Sequence, residues 1–118
     1  MANFCPRNED ICISRGDSPV MFVTITDDLE VIQDITGFTF NLTVGPSPAP
    51  VNDTNQLFQL SGVIVDGPGG RVRFQPSTLN TDLSPGVFFY DVQMVTLAPS
   101  VRTVLSGKFQ VKQDITKI

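Results

Sequence analysis

Apolar and polar residues alternate with a period of two through most of this chain. In Phe38–Val44, Phe38, Phe40, Leu42 and Val44 fall on one side and Thr39, Asn41 and Thr43 on the other, the pattern of a strand with one buried face. Val72 and Phe74 alternate with Arg71 and Arg73. Phe88, Tyr90, Val92 and Met94 share a phase opposite to Asp91 and Gln93, and Phe109 and Val111 alternate with Lys108, Gln110 and Lys112. The β-branched run Val20–Thr26 reads as a strand. Leu57–Val65 reads as another, with Gly62 a candidate bulge, and Ile11–Ser14 as a short first strand. Turn-forming groups separate these runs: RGDSP, TDDLE, Gly45–Pro50, Asp66–Gly70 and Leu83–Gly86. No stretch keeps a 3.6-residue apolar period over three turns, and Asn80–Leu83 has room for one helical turn.

About seven antiparallel strands in roughly 100 residues predict an all-β, immunoglobulin-like β-sandwich, with a small β-barrel as the competing fold. The chain of 118 residues has the size of one domain, and neither a repeat nor a linker divides it. The expected organisation is an irregular, polar N-terminal arm over residues 1–12 and the sandwich over 13–118. The shared phases place Phe38, Phe40, Leu42, Phe74, Phe88, Tyr90, Val92, Phe109 and Val111 in its core.

Composition narrows the chemistry. The net charge is −4 and the eight basic residues are scattered, so no nucleic-acid or membrane partner is expected. No apolar run approaches the ~20 residues of a membrane span. The first ten residues lack the basic and apolar regions of a secretory signal, so the chain is expected to fold in a cytosol. There is no His and no Trp, which removes the usual general base and most metal sites. No catalytic, cofactor-binding or metal-binding residue is assigned, and no cofactor is expected.

Other groups read as structure. Cys5 and Cys12 are expected to be reduced. Asp27, Asp28, Glu30 and Asp34 lack the spacing of a calcium loop and read as a solvated hairpin. Asp66–Gly70 lacks the Lys-Ser/Thr ending of a phosphate loop and reads as a hairpin turn. Asn41-Leu42-Thr43 and Asn52-Asp53-Thr54 match glycosylation acceptors, which only a secreted eukaryotic protein uses. Arg15-Gly16-Asp17 spells the tripeptide that integrins read. Gly16 also permits positive φ, Asp17 and Ser18 can bond nearby backbone, and Pro19 fixes φ before a strand. The expected role is therefore the bend into the next strand, not adhesion.

Four of these pieces, in their order along the chain, resemble a known family. They are Arg15–Ser18, the Asp34-Ile35-Thr36-Gly37 step, the Gly86–Asp91 strand, and the closing Gly107–Thr116 segment. The chain is similar in this to the immunoglobulin-like domain of tailed-phage virion proteins, notably the N-terminal domain of upper baseplate proteins. The resemblance implies a non-enzymatic structural protein that contacts other virion proteins, the major capsid protein or tail and baseplate proteins. It implies a homo-oligomer on the particle, located in the virion and, during assembly, in the host bacterial cytoplasm. Baseplate relatives often carry a second domain after the sandwich, and this chain ends at Ile118. Decoration or cementing of the capsid is thus the leading expectation, and a tail or baseplate role the next. A carbohydrate- or cell-binding module is a third. Such modules present exposed aromatics, whereas the one Tyr, Tyr90, has an inward phase.

Overall fold

A computed structural model of the chain describes residues 7–27, 29–46 and 57–113. In chain order the elements are β1 (Arg7–Asn8), β2 (Ile11–Ser14), β3 (Met21–Thr24), β4 (Thr39–Gly45), β5 (Phe58–Ser61), β6 (Val63–Asp66), β7 (Arg71–Phe74), a helical turn α1 (Thr78–Thr81), β8 (Gly86–Val95) and β9 (Val101–Lys112). The fold is all-β, built from two sheets. Sheet A runs β1-β9-β8-β4-β5, with β2 also pairing β9, and sheet B runs β3-β7-β6.

Sheet A is mixed, which corrects the expectation of antiparallel strands throughout. β1 and β2 pair with β9 in parallel, Arg7 opposite Leu105 and Ser14 opposite Lys112. Both β2 and β9 reach the same end of the sheet, where β2 leaves through the Arg15–Ser18 bend for sheet B. Of the expected N-terminal arm, residues 7–8 and 11–12 are strand residues and residues 1–6 lie outside the described residues. Most of the Gly45–Pro50 loop, from residue 47, lies outside them too, as does the second acceptor, 52–54.

The alternation builds the core as expected. Leu60, Leu42, Val92 and Leu105 are paired in register across four strands of sheet A and all are buried. Sheet B contributes Val72 and Phe74 to the same cluster. Phe40, Phe74 and Phe109 are its largest fully buried side chains, each worth about 1.5–3 kcal/mol relative to exposure. Tyr90 and Val111 are buried as expected, while Phe38 and Phe88 are only partly so. Phe38 precedes β4 and Phe88 lies near the start of β8, so both sit at the rim. Phe58 and Phe109 meet edge to face, centroids 5.8 Å apart at 78°. They come from strands three places apart at about 4.8 Å spacing, so sheet A curls over the core.

Gly62 is not a bulge inside one strand. It divides β5 in sheet A from β6 in sheet B, and its N–H donates to the Phe40 carbonyl at 2.8 Å. A Cβ there would lie 2.8 Å from both Phe40 Cβ and Val72 Cγ2. Only glycine lets the chain cross between the sheets that closely. The irregularities fall elsewhere, at Ile64/Asp66 and at Val92/Gln93.

Candidate interaction surface

Three connections meet at one end of the two sheets. The segment from β3 to β4 begins with a hairpin whose base is the Thr26–Ile32 bridge. Asp27 shapes it: its carboxylate accepts from the N–H groups of Leu29 at 2.9 Å and Val31 at 3.0 Å. This is the solvated acidic hairpin expected, with Glu30 at φ 63°; Asp28 lies outside the described residues. The hairpin is tied to the β6–β7 turn. Ile25 N–H donates to the Gly70 carbonyl at 2.7 Å and Ile35 N–H to the Gly67 carbonyl at 2.9 Å.

The Asp34–Gly37 step is a tight turn with a reason for each residue. The Asp34 carboxylate accepts from Thr36 through both its hydroxyl, at 2.7 Å, and its N–H, at 3.0 Å. Those bonds, the hydroxyl first, hold the Asp34 carboxyl below its ordinary range. Ile35 is fully buried and plugs the core. Gly37 takes φ 82°, and Leu97 of the β8–β9 hairpin packs beside it, with Cδ2 3.0 Å from where a Cβ would stand. Asp66–Gly70 forms the expected hairpin turn, Asp66 accepting from Gly69 N–H at 3.0 Å.

Leu29, Val31, Ile32, Leu97 and Val101 are all strongly exposed at this end, beside the carboxylates of Glu30, Asp34 and Asp66. Large apolar side chains on rigidly held loops are what a protein-contact surface offers. The spacing of the acidic residues predicts only a solvated hairpin here. The trace left in the sequence is that Leu29, Val31 and Ile32 lie in and just after the TDDLE turn without matching the phase of any strand.

Arg15-Gly16-Asp17 lies at the opposite end of the sheets. Gly16 has φ 82°, and its N–H donates to the Thr81 carbonyl at 3.2 Å. Thr81, fully buried, donates its hydroxyl to the Asp17 carbonyl at 2.6 Å. Ser18 donates its hydroxyl to the Pro76 carbonyl. The Arg15 guanidinium pairs with Asp82 at 2.9 Å. The tripeptide is thus a bend clamped onto α1. That turn starts two residues earlier than expected because Ser77 and Asn80 cap it reciprocally.

Among the described residues no three Cys, Asp or Glu side chains come together as a metal-binding group. Cys12 is a free, exposed thiol, and Cys5 lies outside the described residues. Asn41 of the first acceptor is half-buried in β4, held between β8 and β5. No helix among the described residues is long and apolar enough to cross a membrane. No protein-family model matches the chain, and no curated protein matches it.

Proposed function

We propose that this chain is a non-enzymatic structural protein of a tailed-phage virion, folded as an immunoglobulin-like sandwich and working through protein–protein contacts. The observation that carries the reading is where the family-like residues sit. Arg15–Ser18 makes the bend between the sheets, Asp34–Gly37 the tight turn under the loop end, and Tyr90 lies in the core on β8. Gly107 and Phe109 lie on β9 beside the first strands. These are bends, tight turns and core positions, where backbone geometry or packing dictates the residue type; residues 114–116 of the closing segment lie outside the described residues. The topology supports the same architecture: a first strand parallel to the last at the edge of one sheet, and a three-stranded second sheet.

The partner is another virion protein, and decoration of the capsid is the leading role. The loop end supplies exposed apolar side chains on hydrogen-bonded turns for such a contact. Immunogold electron microscopy of tailed particles from cells that produce the chain tests this. Label distributed over the capsid supports decoration, label at the tail tip moves the protein to the baseplate, and unlabelled particles overturn the virion reading.

A further inference from the structure

The outer face of sheet B carries an apolar strip with two cations in it. Phe22, Arg73 and Val63 are opposite one another in register across all three strands. Phe22 is 51% exposed and Val63 49%, values that leave half of each apolar side chain in water. The Arg71 guanidinium lies 4.3 Å from the centre of the Phe22 ring, a cation–π contact that presents both groups outward. Among the described residues no carboxylate pairs with Arg71 or Arg73. Asp66 stands opposite Arg71 in register, so Arg73, between Phe22 and Val63, is the cation of the strip with no carboxylate across the ladder.

The hairpin around Leu29 has the complementary character. Leu29 and Val31 are exposed apolar residues, and Glu30 stands between them. The hairpin springs from the end of sheet B. Its base is fixed by Ile25 N–H to the Gly70 carbonyl and by Gln33 N–H to the Ile25 carbonyl at 3.0 Å. We infer that the Leu29–Val31 hairpin of one copy docks on the Phe22–Arg73–Val63 strip of the next, with Glu30 against Arg73. Such a contact joins two different patches, so it propagates into a ring or a chain of copies and not a closed dimer. The inference rests on the reading of the loop end as a protein-contact surface and divides it: Leu29 and Val31 meet the next copy, which leaves Leu97 and Val101 for the other virion protein.

Sedimentation velocity of the purified full chain tests it. The wild type should form species larger than a dimer as concentration rises, and added salt should weaken them, since the contact is partly ionic. Arg73→Glu and Glu30→Lys each should weaken association at least tenfold while melting like the wild type. Each variant keeps one intact patch. An equimolar mixture should therefore recover association, with the hairpin of Arg73→Glu seated on the strip of Glu30→Lys. Leu29→Ser, at a tip residue with no packing role, should weaken association as well. A wild type that stays monomeric at about 1 mM, the edge of weak binding, overturns the inference. So does association that survives Glu30→Lys, or a mixture that stays monomeric. A monomeric wild type whose chain still labels particles would sink the self-contact and leave the virion reading standing.

Discussion

The phenolic hydroxyl of Tyr90 donates a hydrogen bond to the carbonyl oxygen of Glu9, a residue 81 positions earlier. The bond crosses β9 at Gly107, which is paired in register with Tyr90. A Cβ at Gly107 would collide with the Glu9 carbonyl and lie 3.1 Å from Asp10 Oδ1. Asp10 in turn accepts from Lys108 N–H at 3.0 Å. The break between β1 and β2 is thus fastened to sheet A by a tyrosine from one strand and a missing side chain on another.

Tyr90→Phe should leave the Glu9 carbonyl short of its partner and destabilise the protein by about 1–3 kcal/mol. Gly107→Ala should cost at least as much, because overpacking against backbone relaxes poorly. Urea unfolding gives both values, and amide exchange of Lys108 should quicken in each. A Gly107→Ala protein as stable as the wild type would contradict the fastening.

Gly62→Ala should destabilise by about 1–3 kcal/mol or more, since its methyl meets Phe40, Val72 and Phe74 within 2.9 Å. Phe40→Ala, removing a fully buried ring, should cost about 3–5 kcal/mol. Thermal melting checks both.

At the bend, Asp17→Glu should leave stability unchanged, because the exposed carboxylate of Asp17 makes no bond in the clamp, whose contact there is the Asp17 carbonyl. Arg15→Ala removes a partly exposed ion pair and should cost no more than about 1 kcal/mol. Neither the wild type nor Asp17→Glu should support integrin-dependent cell attachment. Attachment that the wild type supports and Asp17→Glu loses would restore the adhesion reading.

Burial on the outer side of sheet A, between Thr43 and Ser106, pushes the Asp91 carboxyl above its ordinary range. A folded-state pKa raised above the unfolded value means that the native protein holds this proton more tightly. Stability from this group is therefore gained as pH falls through the folded pKa and is absent at neutral pH. Asp91→Asn should melt higher than the wild type at pH 7, and the difference should shrink below the ordinary carboxylate range. A difference that grows on acidification would reverse the assignment.

Period-two phase made β4, β7 and β8 legible in the sequence with most of the core. It could not show the crossing at Gly62. Phe58, Leu60, Gly62 and Ile64 keep one phase while the chain changes sheets, so the alternation continues where the pairing does not. The start of β9 was hidden for the opposite reason. The slip at Val92/Gln93 shifts the phase between Thr103 and Leu105, and the strand reads as beginning only at Ser106. Ile35 is buried from an irregular segment, held there by its bond to Gly67, and no periodicity marks it. The loop end was illegible as a surface because it exists only when three connections distant in sequence meet.

The virion reading is tested most directly by quantitative mass spectrometry of gradient-purified particles from cells that produce the chain. The account predicts the chain at a fixed ratio to the major capsid protein, unchanged by further rounds of purification. A chain abundant in the lysate but lost from the particles at the first gradient would contradict it.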